Sequence, residues 1–340
     1  MSDAYARAGV DISAGNAAVA KYREVTSEWR HPNQLGAIGG FSGLFALPED
    51  DHRALVASTD GVGTKIVLAA RAKRYDTVGA DLVNHCVNDI LVTNATPLFF
   101  LDYLAVGKLD PAVAGALVGG VQGACRAHTM ALLGGETAEM PGLYAQEDFD
   151  LAGTIVGIVD RDKVPDPANV QPGDVIVGLP AIGLHTNGFS LARAVFAEAE
   201  YDQPLPGAPG VTILDALLAT HPSYLAAVRT LEKSVNIKAM AHITGGGLLE
   251  NVPRTLPEGT AAIFDATTWS VPPIFQEIVR RAQLSAHEQY RTFNMGIGYT
   301  LIVPATDGPA AERAYPGAKV VGRVVARADG DEIVRIEAAA

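Results

Sequence analysis

The segment Ser58–Lys65 reads STDGVGTK: an acid, two glycines, a hydroxyl and a lysine at a strand-to-helix turn. Backbone N–H groups freed by Gly61 and Gly63 can bond phosphate oxygens, with Thr64 beside them and Lys65 supplying a point charge. Asp60 can hold Mg²⁺, which favours one or two carboxylates plus the phosphates themselves. The spacing is neither a Walker A loop nor a dinucleotide GxGxxG. A second group lies on ADLVNHCVNDILVTN, residues 80–94. At 100° per residue, Leu82, Val83, Cys86, Val87, Ile90 and Leu91 fill one arc, and Asp81, Asn84, His85, Asn88 and Asp89 fill the other. Short, stiff Asp, Asn and His side chains are poor helix formers, so a face made wholly of them suits the lining of a cation or polar-ligand site. A solvated face is the plain alternative. Cys86 falls on the apolar arc and reads as a core thiol.

Three further segments offer polar groups beside glycines. LLGGETAEMPG (Leu132–Gly142) reads as a strand ending in Gly134 and Gly135, followed by Glu136, Thr137 and Glu139. One of these carboxylates could serve a metal or take a proton; a surface turn with solvated acids is the alternative. GLHTNGFSLAR (Gly183–Arg193) carries His185, Thr186 and Asn187 into the start of a helix, whose free N–H groups favour anions. HITGGGLLENVPR (His242–Arg254) repeats the design, with Thr244 and Gly245, Gly246 and Gly247 before a short helix. FNMGIG (Phe293–Gly298) reads as a tight turn against a core strand. The eight histidines show no HxxxH pair, and no GxSxG elbow exists, which weighs against zinc and serine hydrolases.

The elements that must position these groups alternate. Ala54–Thr59, Pro97–Val106, Met130–Leu133 and Leu151–Val159 read as strands, and Lys65–Arg74 and Pro111–His128 as helices. Asp160–Asp174 then brings three prolines within a charged run, the best boundary between two α/β domains, set here at 1–165 and 166–340. A second block opens with Val175–Leu179 and closes with Tyr299–Val303, Lys319–Val325 and Glu332–Ile336. A chain of 340 residues with 48% hydrophobic and 19% charged residues builds a core without disulfides, and it has only two cysteines. The net charge of −12, with no Lys/Arg run, argues against general nucleic-acid binding. MSDAYARAGVD carries acids where a secretion signal would be apolar, and no apolar run is long enough to span a bilayer. The expectation is a soluble cytoplasmic protein.

Taken in order, AGVDISAGN, GGFSGLF, STDGVGTK, CVNDI, PLFFLDYLAVGKL, GGETAEMPG, GLHTNG, HITGGGLLEN and TFNMGIG resemble the phosphoribosylformylglycinamidine cyclo-ligase (AIR synthetase) family over nearly the whole chain. Asn84–His85 stands where Ala-Met is usual, Thr93–Asn94 replaces Gln-Gly, Thr186 replaces serine and Gln289 replaces methionine. The resemblance implies a two-domain α/β (α+β) architecture. Its N-terminal domain gives strands to a β-barrel at the interface of a homodimer, and its C-terminal domain is a mixed-sheet α/β unit. It implies ATP-dependent closure of formylglycinamidine ribonucleotide to 5-aminoimidazole ribonucleotide. The expected Mg²⁺ ligands are Asp60, Asp89 and Glu136, with Lys65, Gly61, Gly63, Thr64, Asn88, Gly134 and Gly135 around ATP. Substrate would meet Glu136, Thr137, His185, Thr186, Asn187, Thr244 and Gly245–Gly247, and Gly36–Gly43 would close over nucleotide. A sister phosphotransferase or a silent nucleotide-binding regulator is the alternative; the latter would have lost its acids. A carbamoyl-dehydrating sister would carry a C-terminal cysteine, whereas this chain ends EAAA.

Overall fold

Two six-stranded sheets lie on either side of the proline-rich stretch 160–174. The computed structural model describes residues 4–27, 29, 31–36 and 39–337. Ala37 and Ile38, inside the glycine-rich Gly36–Gly43, and the final 338–340 therefore lie outside the described residues. The first sheet is built from β1 (Gln34–Leu35), β2 (Gly43–Ala46), β3 (Arg53–Gly61), β4 (Thr96–Val106), β5 (Ala131–Glu139) and β6 (Phe149–Asp160). Its order is β1-β2-β3-β6-β4-β5, antiparallel except for the parallel pair β4/β5, and within one chain it is open.

Helices α3 (Lys65–Ala72), α4 (Asp76–Leu91) and α5 (Pro111–Ala127) belong to this half. α5 begins with Pro111 at its first position and the Asp110 carboxylate accepting the Ala112 N–H, a normal N-terminal stop. The apolar arc of α4 (Leu82, Val83, Cys86, Val87 and Ile90) is buried. Gly79 and Gly120 let the backbones of α4 and α5 approach closely: a Cβ on Gly79 would lie 2.5 Å from the Leu117 carbonyl oxygen.

The second sheet holds β7 (Val175–Pro180), β8 (Ala239–His242), β9 (Thr260–Asp265), β10 (Ile297–Val303), β11 (Lys319–Ala326) and β12 (Val334–Glu337), in the order β12-β9-β11-β7-β10-β8. β10 is buried along its whole length, as expected of a mostly apolar strand inside the sheet, with Thr300 its polar member. The accompanying helices are α6 (Phe189–Val195), α7 (Ile213–Leu217), α8 (Leu225–Leu231), α9 (Gly247–Asn251), α10 (Pro273–Ala282), α11 (Ala286–Thr292) and α12 (Gly308–Ala314). Before the first sheet run α1 (Ala4–Arg7) and α2 (Ile12–Thr26). They reach across to the second half: the Gly188 N–H donates to the Tyr5 hydroxyl, and Asn16 and Ser13 bond Glu250 and Arg291. Among the described residues no helix is long and apolar enough to cross a membrane.

One local expectation needs correction. Gly134 and Gly135 do not end a strand, because β5 continues through Glu139, paired to β4. Gly135 is small for a packing reason, since a Cβ there would meet the Asp102 carbonyl oxygen at 2.5 Å.

Candidate active site

α4 is the centre of the site, and its polar arc is not solvated. It faces the loop 219–224 of the second half, and the arc divides by task. Asp81, Asn84 and Asn88 dock that loop. The His221 N–H donates to Asp81 at 2.7 Å, Asn84 donates to the His221 carbonyl at 2.7 Å, and Asn88 receives the Tyr224 N–H at 2.8 Å. His85 and Asp89, one turn apart, instead face β3 and β8.

Asp60 comes from the end of β3 and Asp89 from α4, and their carboxylates converge. The Nε2 of His85 lies 2.6 Å from Asp60 Oδ2 and 3.6 Å from Asp89 Oδ2. Burial alone would push the His85 imidazole down, but the two carboxylates prevail and raise it to about 9. Burial likewise favours a neutral Asp60, yet the His85 charge holds its carboxyl below the usual range. Ser58 donates to Asp89 at 3.2 Å and also contacts the Phe41 carbonyl, which brings the glycine-rich 36–43 segment beside the acids. Hard oxygen donors aimed at one point, where a cationic ring now lies, are a donor set that fits a divalent metal.

Three loops meet here. Gly63 lies against the Thr186 carbonyl, and the Thr64 hydroxyl is 3.3 Å from that of Ser190. A Cβ on Gly245 would lie 3.3 Å from Asn187 Oδ1. The GLHTNG segment thus bridges the STDGVGTK turn and the TGGG turn. Thr186 also hydrogen-bonds His85 Nδ1 at 2.8 Å. Asn187 Nδ2 is buried with no partner, a donor waiting for an acceptor. Asn251 ties the TGGG backbone by donating to the Gly247 carbonyl at 2.8 Å, with Thr244 bonded to its side chain. A cavity of 330 Å³ lined by Gly63, Thr64 and Phe149 shares Ala70, Asp148 and Phe149 with a second of 520 Å³ that reaches Lys73 and Lys108.

Some expected residues lie elsewhere. Lys65 is fully buried: its ammonium pairs with Asp81 at 2.7 Å and donates to the Ala219 carbonyl at 2.8 Å, so it faces no open phosphate position. Burial pushes the lysine down and the aspartate up despite their contact. Glu136 does not join Asp60 and Asp89. Its row across the sheet runs Gly61–Ala152–Tyr103–Glu136, three strand spacings or about 14 Å, and it is exposed with Thr137. His185 is brought to the site but turned inward, 1% exposed, with Nε2 3.2 Å from the Tyr224 hydroxyl. Burial and the neighbouring histidines push its pKa well below the usual value.

Sequence reasoning passed over His221 and His242. His242 Nδ1 contacts Asp89 at 2.8 Å, and its Nε2 lies 3.1 Å from that of His221. No spacing rule could have found this pair with His85, because the three sit on α4, on loop 219–224 and at the end of β8.

Comparison with known proteins places the chain among relatives. The family models "AIR synthase related protein, N-terminal domain" and "AIR synthase related protein, C-terminal domain" match residues 42–159 and 171–335. A phosphoribosylformylglycinamidine cyclo-ligase of Citrifermentans bemidjiense is 45% identical, over 97% of this chain and 97% of its own. Another of the same name from Trichlorobacter lovleyi is 47% identical, over 89% of this chain and 88% of its own. Among solved structures, thiamine-monophosphate kinase from Stenotrophomonas maltophilia superposes with a TM-score of 0.64 at 17% identity, covering 93% of this chain and 94% of that one. AaThiL, solved with AMPPCP and TMP, gives a TM-score of 0.61 at 15% identity, covering 93% and 91%. At those identities the two structures speak for the fold. The near full-length relatives and the matched domain pair decide the family: this chain belongs to the phosphoribosylformylglycinamidine cyclo-ligases.

Proposed function

We propose that this chain uses ATP to close formylglycinamidine ribonucleotide to 5-aminoimidazole ribonucleotide, releasing ADP and phosphate, in de novo purine synthesis. The observation that carries the reading is the meeting of three glycine-bearing loops around the convergent Asp60 and Asp89 carboxylates. A formamide carbonyl is a poor electrophile, because its oxygen would have to leave as hydroxide. Transfer of the γ-phosphoryl group to that oxygen creates a good leaving group. The ribosyl-bearing amidine nitrogen then attacks the formyl carbon, the five-membered ring closes and phosphate departs. Such transfer asks mainly for positioning and charge neutralisation.

Asp60 and Asp89 would hold Mg²⁺, which would neutralise phosphate charge. Gly63 would offer a backbone N–H beside it, whereas that of Gly61 already donates to the Asp60 carboxylate at 2.7 Å; the unpartnered Asn187 amide would donate to a phosphoryl or substrate oxygen. Thr244 and Gly245–Gly247 suit the ribose 5′-phosphate, and the groove beyond Gly63 has room for part of one substrate. His185 is a positioning residue here: neutral, buried and bonded to Tyr224, it shapes the Thr186–Asn187 turn from below. Its own backbone is left-handed (φ 61°), a strained choice for a non-glycine residue that the buried ring contact holds in place.

We divide the work between 1–165 for nucleotide and dimer contacts and 166–340 for substrate, with residues 4–16 crossing to the second half. The exposed Leu98, Leu101, Tyr103 and Leu133 on β4 and β5 favour a homodimer in which a second sheet covers this face. The work would be cytoplasmic. The test is to assay ADP and aminoimidazole ribonucleotide together, with and without formylglycinamidine ribonucleotide. Equal yields that need both substrate and Mg²⁺ support the reading. ADP without the amine product overturns it in favour of a sister phosphotransferase.

A further inference from the structure

Behind the half-exposed Asp60 lies a closed nest of imidazoles. One ring nitrogen from each of His85, His221 and His242 lies within 4.8 Å of the other two, and all three residues are buried. The hydrogen bonds around them leave His221 with one ring nitrogen that has no partner.

Asn88 has its amide orientation set, because its Oδ1 accepts the Tyr224 N–H at 2.8 Å. Its Nδ2 therefore donates, to the Pro222 carbonyl at 2.9 Å and to His221 Nε2 at 3.2 Å. This puts a lone pair on His221 Nε2 and the proton on Nδ1, which is buried and has no partner. His242 gives its Nδ1 proton to Asp89 at 2.8 Å, leaving a lone pair on its own Nε2. The two Nε2 lone pairs then face each other across 3.1 Å. Moving the His221 proton to Nε2 would let it donate to His242, but it would crowd the Asn88 N–H at 3.2 Å and leave Nδ1 a buried acceptor with no partner.

A metal between the nitrogens would use both Nε2 lone pairs at once. In tetrahedral coordination, metal–nitrogen bonds of about 2.0–2.1 Å give a nitrogen–nitrogen edge of about 3.3 Å, close to the observed gap. The outer contacts are those that orient ligating histidines: Asp89 on the far nitrogen of His242 and the Thr186 hydroxyl on that of His85. The inner nitrogen of His85 also lies 2.6 Å from Asp60, whose carboxylate stands as a fourth donor. Imidazole donors select borderline cations such as Zn²⁺ or Co²⁺, whereas Mg²⁺ prefers oxygen.

We propose that His85, His221 and His242 form a nitrogen-ligated site for a divalent transition cation of the Zn²⁺ or Co²⁺ class, on the inner side of the Asp60–Asp89 pair. The site borders the Asp60–Asp89 pair of the reaction proposed above, and its cation binding is read without turnover.

Cobalt(II) is the probe. The full chain, stripped with chelator and dialysed, is expected to take one Co²⁺ per chain, with ligand-field absorption in the visible. Zn²⁺ should displace it and excess Mg²⁺ should not. X-ray absorption of the zinc-loaded protein should count three imidazole scatterers. His85→Met and His85→Gln, checked for native circular dichroism, should weaken Co²⁺ binding on the order of 100-fold. Absence of stoichiometric binding in the wild-type chain would overturn the proposal. So would displacement by Mg²⁺ as readily as by Zn²⁺, or fewer than two imidazoles around zinc. These readouts need no turnover, so they remain decisive if ring closure is never detected.

Discussion

Replacing Lys65 separates two uses of one cation, as a phosphate contact and as a buried pin. Lys65 and Asp81 are both fully buried and 2.7 Å apart, and each also holds loop 219–221 of the second half, through the Ala219 carbonyl and the His221 N–H. In Lys65→Met the stem volume is nearly kept, so little cavity cost arises. The Asp81 carboxylate, however, loses the counter-charge at contact distance, and stranding a buried charge costs about 3–5 kcal/mol. Lys65→Met/Asp81→Asn removes both charges and keeps an oxygen for the His221 N–H. Its loss should shrink to about 1–3 kcal/mol, the cost of an unsatisfied amide. Urea unfolding followed by circular dichroism and tryptophan fluorescence reads these differences, and calorimetric titration reads ATP affinity, expected to stay within about twofold for whichever variants fold. A Lys65→Met protein with an unchanged urea midpoint and a large loss of ATP affinity would refute this account. It would mean that the ammonium leaves Asp81 to meet phosphate.

Asp89→Asn should keep the fold, because an amide oxygen can still accept from His242, while turnover falls on the order of 100-fold or more and the Mg²⁺ dependence changes; steady-state kinetics against Mg²⁺ check this. Gly79→Ala ought to gain about 1 kcal/mol on helix propensity, yet its Cβ would sit 2.5 Å from the Leu117 carbonyl oxygen and the Val121 nitrogen. Clash with backbone prevails, so the net effect in thermal or urea unfolding should be a loss of about 1–3 kcal/mol. The side chains of Arg280 and Arg281 hold the Glu277 carboxyl down from 4.5 to about 2, against burial. A depressed carboxyl stabilises the fold above its unfolded value, so this contribution is complete above pH 4.5 and fades as pH falls towards 2. With Arg280 largely exposed it amounts to about 1 kcal/mol, and Glu277→Gln should flatten that part of the acid limb in pH-dependent unfolding.

The sequence by itself determined the elements and their break. β3, β4, β6 and β7, with α3 and α5, follow from apolar runs, a proline at a helix start and a proline-rich interruption, all of which act over a few residues. It also determined the family, through motifs kept in order along the chain, and it singled out Asp60 and Asp89, whose carboxylates the fold brings to one imidazole. What only the tertiary structure decided is how polar groups are shared between site and scaffold. The polar arc of α4 was legible as unusual, but Asp81, Asn84 and Asn88 serve to dock loop 219–224, which no local pattern announces. Lys65 follows two glycines as a phosphate lysine would, yet it points into the core because Asp81 lies there. Glu136 is separated from Asp60 by strand order, since β6 and β4 stand between β3 and β5. His85, His221 and His242 meet although 136 and 21 residues separate successive members, because α4 packs against the end of β8 and the loop before α8. Periodicity reports which face of an element is apolar; it carries no information about which distant element covers the polar face, and that contact set the chemistry here.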